Sequence, residues 1–115
     1  MKWTSYTKGI LAEYLASILL FCKGYIIQAH RYRTPWGEID LIAKRGKTLV
    51  FVEVKRRQQL SQGLEAISSN QRSRIERAGQ AYLASAKIDF NIVRFDVVVV
   101  TCNRLYHLKD AWRTL

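Results

Sequence analysis

Acidic residues are scarce in this chain: 9 Asp and Glu stand against 19 Lys and Arg, for a formal charge of +10 and a pI near 10.0. A basic surplus of that size favours a polyanionic partner, nucleic acid first and an anionic membrane surface second. Cysteine is nearly absent as well. Cys22 and Cys102 lie far apart and form no C-x-x-C or Cys/His cluster, which argues against a zinc site and for the reduced thiols of a cytoplasmic protein. No apolar run is long enough to span a bilayer. Glu13 interrupts the apolar segment behind Lys2 and Lys8, and no small-residue cleavage site follows, so a buried helix is expected there rather than a signal peptide. Repeats, low-complexity segments and linkers are missing too. With 115 residues, 49% hydrophobic and 24% charged, the expectation is one globular domain over residues 1–115 with its own core.

What is there centres on Gly37 to Arg57, GEIDLIAKRGKTLVFVEVKRR. Two strands, Glu38–Arg45 and Thr48–Arg56, flank Gly46-Lys47, whose leading glycine suits a type II′ turn. That turn pairs Arg45 with Thr48, Lys44 with Leu49, Ile42 with Phe51, Asp40 with Glu53 and Glu38 with Lys55. Side chains alternate across a strand, so these pairs share one face, while Ile39, Leu41, Ala43, Val50, Val52 and Val54 form an uncharged core face. Placing Asp40 opposite Glu53 is costly, since like charges facing each other destabilise a ladder. At ~5 Å and an effective dielectric of ~20 the repulsion is roughly 3 kcal/mol. A divalent cation together with the Lys55 ammonium would offset it, and Mg²⁺ favours such paired carboxylates.

Around this hairpin, residues 5–23 read as a helix. Ile10, Leu11, Tyr14, Leu15, Ile18 and Cys22 form its broad apolar stripe, and a mostly small side carries Gly9, Ala12, Ala16 and Ser17 with Glu13. Gly24 stops it. Residues 25–33 read as a strand, and Thr34-Pro35-Trp36-Gly37 as a turn. Trp36 has two uses, a stack for a base or a lid on the core, and for a turn tryptophan the lid is the commoner. His30 has no partner nearby in sequence and receives no role. Residues 57–63 read as a mobile polar loop. A second long helix, Ser69–Ser85, is capped by Ser68 or Ser69, turns Ile75, Gly79, Tyr82, Leu83 and Ala86 inward, and pairs Arg72 with Glu76 on its surface. Residues 92–101, apolar on both faces, read as a covered strand parallel to Thr48–Arg56 after a right-handed crossover. Asp96 inside it needs a partner, and Arg94 on the same face supplies a structural ion pair. A turn at Cys102-Asn103-Arg104 leads to a short last strand, 105–109.

An acidic residue on one strand followed by Glu53-Val54-Lys55 on the next resembles the PD-(D/E)xK nuclease superfamily, although Ile39 stands where that motif has proline. The whole chain is similar to the small uncharacterised bacterial YraN family, related to archaeal Holliday-junction resolvases. The resemblance is carried by Gly9…Ala12-Glu13…Ala16…Leu20…Gly24-Tyr25, Gly37 to Ala43, Leu49 to Lys55, Glu65-Ala66-Ile67, Ala81-Tyr82-Leu83 and Arg94 to Val98. It implies an α/β fold, a restriction-endonuclease-like mixed sheet of about five strands flanked by two long helices. It also implies catalytic roles for Asp40, Glu53 and Lys55, and adds Glu13, because related resolvases use a first-helix glutamate at the metal site. Two departures stand out: His30 where the family tends to have Asn, and Gln71 where it often has Lys.

The function expected from these residues is metal-dependent phosphodiester hydrolysis on DNA, branched or structured DNA included. Asp40, Glu53 and Glu13 would bind Mg²⁺ or Mn²⁺, and Lys55 would orient the attacking water. Lys44, Arg45, Lys47, Arg56, Arg57, Arg72, Arg74 and Arg77 are candidates for phosphate contacts. The alternatives are a nucleic-acid-binding protein of the same fold that does not cut, and a structural protein whose acidic residues only pair with nearby cations. Junction cutting would suit a two-fold homodimer.

Overall fold

A computed structural model describes residues 5–113, and side chains from Lys8 onward. Its elements are α1 (Ser5–Cys22), β1 (Ile26–Arg33), β2 (Glu38–Arg45), β3 (Thr48–Arg56), α2 (Leu60–Glu65), α3 (Ser69–Ser85), β4 (Ile92–Val100) and β5 (Leu105–Trp112). The strands form one sheet in the order β1-β2-β3-β4-β5. Only β3 and β4 run parallel, as the α2–α3 crossover between them requires; the other neighbours are antiparallel. This is the mixed α/β sheet expected from the sequence.

The central hairpin has the expected register, from Arg45–Thr48 to Leu41–Val52. Gly46 takes φ 60 and Lys47 keeps a negative φ, the combination a type II′ turn demands. Alternation then puts Leu41, Ala43, Val50 and Val52 in one core with Ala12, Ala16, Leu20 and Tyr25. Ile42, Leu49 and Phe51 lie in a second core with Ile75, Ala78 and Tyr82 of α3. The sheet is therefore covered on both faces. Ile39 departs from the expected pattern, since it packs in the α3-side core and not with Leu41. Facing this stretch, between the Tyr32–Ile39 and His30–Leu41 pairs, Arg31 adopts φ 48, which breaks the regular strand geometry.

Helix α1 is present but turned the other way from a conventional amphipathic reading. Ala12, Ala16 and Leu20 are buried, while Ile10, Leu11, Tyr14, Ile18 and Phe21 are exposed. The small residues let the helix axis approach the flat sheet closely, so the large side chains of the stripe face outward. The helix closes with Gly24 at φ 90 and Tyr25 N donating to the Leu20 carbonyl at 2.9 Å, a left-handed C-terminal cap.

The polar segment after β3 is not a loop throughout. Residues Leu60–Glu65 form α2, capped by Gln59 and Gln62, and Gly63 is buried against β4. A Cβ there would stand 2.6 Å from Val99 Cγ2, so only glycine permits this approach. Helix α3 starts as expected, with Ser68 Oγ accepting from Gln71 N at 3.2 Å. Arg72 and Glu76 do not pair: the Arg72 guanidinium lies over the Trp112 ring at 5.6 Å, and Glu76 accepts from Trp112 Nε1 at 3.1 Å. Strand β5 also runs longer than expected, to Trp112, because Trp112 stacks on Phe95 at 5.2 Å and holds the strand's end on the core.

Asp96 is fully buried and completely satisfied. It accepts from Arg94 Nε and Nη2 at 2.8 Å each, from Asp110 N at 2.9 Å and from His107 Nε2 at 2.7 Å. Lys23 Nζ lies 2.8 Å from His107 Nδ1 and can only donate, which makes His107 the neutral tautomer with its proton on Nε2. Burial pushes the Asp96 carboxyl up, yet the bonds from His107, Arg94 and the Asp110 amide outweigh it and leave it below 3.8. The Arg94 partnership inferred from the sequence is this pair, and it leaves Asp96 no lone pair for a metal. No described helix is long and apolar enough to cross a membrane.

Candidate active site

Backbone pairing between β2 and β3 stops at Leu41–Val52. Beyond it the Asp40 side chain replaces the ladder, its Oδ2 accepting from Val54 N at 2.8 Å. A strand edge that parts in the middle of a sheet would strand its amides; here a carboxylate satisfies one, and the parting opens a cleft. The cleft holds about 280 Å³ and is lined by Glu38, Asp40, Glu53, Gln71, Arg74 and Ile75.

Asp40 and Glu53 both line this cleft, although the expected Asp40–Glu53 and Glu38–Lys55 ladder pairs do not form, since pairing has ended one step earlier. Glu53 is only 6% exposed. Burial, followed by the Asp40 charge and a hydrogen bond to Asp40, pushes the Glu53 carboxyl up to about 8. Asp40 is raised as well, by burial first and also by the Glu13 charge, with the Val54 amide, the Glu53 hydrogen bond and Lys55 pulling it back. Burial and mutual repulsion thus push both carboxyls toward keeping a proton between them. Two adjacent carboxylates that retain a proton are a place where a cation can replace it.

Lys55 Nζ lies 3.4 Å from Glu53 Oε1, and both side chains are nearly buried. One orientation of the Gln71 amide has its nitrogen donating to Glu53 Oε1 at 3.4 Å. The orientation that satisfies both ends has its oxygen accepting from Lys55 Nζ at 3.0 Å and its nitrogen donating to the Ala66 carbonyl at 3.2 Å, and is the one assigned on that ground. Gln71 therefore anchors Lys55 to the loop before α3. The sequence marked Gln71 only as a departure from a family lysine; its sole signal was a position in the first turn of a helix beside the Glu53-Val54-Lys55 strand.

Glu13 is close enough to raise Asp40 but does not join the pair. Arg31 holds it, Nε to Oε1 at 2.9 Å and Nη2 to Oε2 at 3.3 Å. Among the described residues no group of three or more His, Cys, Asp or Glu side chains is gathered to hold a metal. The donors in place are the hard oxygens of Asp40 and Glu53, which suit Mg²⁺ or Mn²⁺.

Of the basic candidates, Arg74 alone lines this cleft. Its Nε donates to the Trp36 carbonyl at 3.1 Å. Arg56 and Arg57 line a separate cleft of about 800 Å³ with Lys8, Gln58, Gln62 and Cys102, at the far end of β3. Lys44, Arg45 and Lys47 sit toward the hairpin turn, roughly 13 Å or more along the strand from Asp40 at ~3.3 Å per residue. There Arg45 lies over the Tyr25 ring at 4.6 Å and Lys47 pairs with Asp89 at 3.6 Å. Arg72 is committed to Trp112, and Arg77 is exposed on α3. Trp36 does not act as a lid, being 52% exposed; the short turn carries it outward.

A family profile described as "Uncharacterised protein family UPF0102" matches residues 12–100. A UPF0102 protein of Parvibaculum lavamentivorans is 44% identical over 114 residues, covering 95% of this chain and 84% of its own. One from Mesorhizobium japonicum is 47% identical over 111 residues, covering 94% and 88%. Among solved structures, Hjc of Archaeoglobus fulgidus, a Holliday junction resolvase, superposes with a TM-score of 0.62 at 17% identity, over 94% of this chain and 79% of its own. That likeness shows that the two chains share a fold.

Proposed function

This chain belongs to the uncharacterised protein family UPF0102, and we propose that it is a metal-dependent nuclease that cleaves phosphodiester bonds in DNA. The observation that carries this reading is the buried Asp40–Glu53 pair with Lys55 beside it, in a cleft that Arg74 lines. A fold has no structural need for two neighbouring carboxyls whose burial and mutual repulsion hold a proton at neutral pH.

Asp40 and Glu53 would hold Mg²⁺ or Mn²⁺, with Glu13 available as a third carboxylate once it leaves Arg31. A bound ion of this kind supplies a water of lowered pKa and neutralises charge on the scissile phosphate. Lys55, oriented by Gln71, would turn its ammonium toward the attacking water and a phosphate oxygen. Arg74, and Arg56 and Arg57 in the separate basic cleft, would bind backbone phosphates, a sequence-independent and salt-sensitive contribution. The resolvase likeness of the fold makes branched DNA the first substrate to try, and a two-fold homodimer would match the symmetry of a junction. We place this activity in the cytoplasm, where DNA is available and the two free cysteines stay reduced.

The test is cleavage of single-stranded, duplex, flap and four-way-junction DNA in Mg²⁺ or Mn²⁺. Wild type should cut at least one, and Asp40→Asn should cut none while still binding. Equal residual activity in both would mean contamination and sink the proposal. The Glu13–Arg31 clasp favours a second reading, a nucleic-acid-binding protein that does not cut; binding without cleavage across the whole panel would select it.

A further inference from the structure

The turn joining β1 to β2 is held more firmly than a surface turn needs. Thr34 N donates to the Gly37 carbonyl at 2.8 Å, and Thr34 Oγ1 donates to the same oxygen at 2.8 Å. That hydroxyl oxygen also accepts from Trp36 N at 3.2 Å and Gly37 N at 3.1 Å. From α3, Arg74 Nε binds the Trp36 carbonyl at 3.1 Å. Gly37 is seated so tightly on α3 that a Cβ would lie 2.8 Å from the Arg74 carbonyl oxygen, backbone that has no room to yield. The backbone of Trp36 is therefore fixed from both sides.

Its indole is not fixed by any such bond. It is 52% exposed, and no hydrogen bond or ring contact ties it to another described residue. Core packing does not account for a large aromatic held in water on a braced turn. Its place does: Trp36 is two residues from Glu38 and bonded to Arg74, both of which line the Asp40–Glu53 cleft. The terminal nitrogens of Arg74 make no bond to described residues, which leaves them for a phosphate.

We infer that Trp36 is a stacking platform for an unpaired nucleobase at the mouth of the cleft, with Arg74 taking the adjoining phosphate. This rests on the nucleic-acid reading of the same site and adds to it a preference for DNA with unpaired bases. Aromatic stacking accepts any base, so the preference concerns strand structure and not sequence. A fully paired duplex keeps its bases stacked on each other and offers the indole nothing.

The experiment measures binding in Mg²⁺ with the Asp40→Asn protein, so that the DNA is not cut, with and without Trp36→Ala or Trp36→Phe. The probes are a labelled duplex and the same duplex carrying a single-stranded flap. Trp36→Ala should weaken flap binding about tenfold and move duplex binding less than about twofold, while Trp36→Phe keeps most of the flap affinity. A 2-aminopurine in the flap should be quenched on binding, and the quenching should vanish with Trp36→Ala, which a merely structural role would not produce. Equal loss on both DNAs, or no loss on either, overturns the platform while the nucleic-acid reading stands. Failure of the Trp36-containing protein to bind either DNA overturns both.

Discussion

Replacing Glu53 with Gln should separate a working carboxylate pair from a structural one, because the two predict opposite signs. Gln is close in shape to a protonated Glu: its amide nitrogen can donate to Asp40 and its oxygen can face Lys55. In the folded wild type Glu53 holds its proton to about pH 8, whereas its ordinary value is 4.5. A carboxyl raised on folding contributes most at low pH. Its contribution declines as pH climbs from the unfolded value to the folded one, since the unfolded chain then binds fewer protons. Each pH unit in that window costs about 1.4 kcal/mol. The wild type therefore gives up about 3 kcal/mol by pH 7 relative to a neutral side chain, and less than about 1 kcal/mol at pH 5. Urea unfolding in EDTA at the two pH values measures this directly, and Glu53→Gln should be the more stable protein at pH 7 by that amount, with the gain nearly gone at pH 5. The same variant should fail to cleave DNA in Mg²⁺. Were Glu53→Gln instead less stable at pH 7, Glu53 would be an ionised partner of Lys55 and the reasoning about the pair would be wrong.

The remaining predictions concern the scaffold. Every group around Asp96 is a donor, so Asp96→Asn sets an amide against them and strips Arg94 of its charge partner, at a cost of about 3–5 kcal/mol in urea unfolding. Because the Asp96 carboxyl is held below 3.8, the wild type should keep this contribution above that pH and lose it on further acidification. Asp96→Asn should lack that acid limb, and an unchanged limb would show that other carboxylates cause it. Gly63→Ala drives a methyl into Val99 and should cost about 1–3 kcal/mol; an unchanged urea midpoint would mean that α2 is not seated on β4.

Strand and turn assignments were legible because they depend on neighbours in the chain. Alternation over residues 41–52 and a glycine at the first turn position specify a register, and that register sets Asp40 and Glu53 just past its end. The α3 cap at Ser68 and the Arg94–Asp96 pair are local in the same sense. Three features were not legible. Helix α1 is apolar on its large-residue side and small on the other, and periodicity does not say which side meets the sheet; closeness of approach decided for Ala12 and Ala16. The polar run after β3 shows its helix only once Gly63 has a β4 surface to sit on. Trp36 is pushed into solvent by a turn braced against α3, a contact across 38 residues of chain.

The sequence by itself determined the β2–β3 hairpin as far as Leu41–Val52 and put the two carboxylates and the lysine just beyond it, since these follow from a two-residue period and one tight turn. Tertiary structure decided how the pair is used. It parts β2 from β3 so that Asp40 caps the Val54 amide, buries Glu53 until it keeps a proton, sets Gln71 on Lys55, and holds Glu13 on Arg31. Each of those depends on where separate elements come to rest against each other, and on the solvent they exclude when they do.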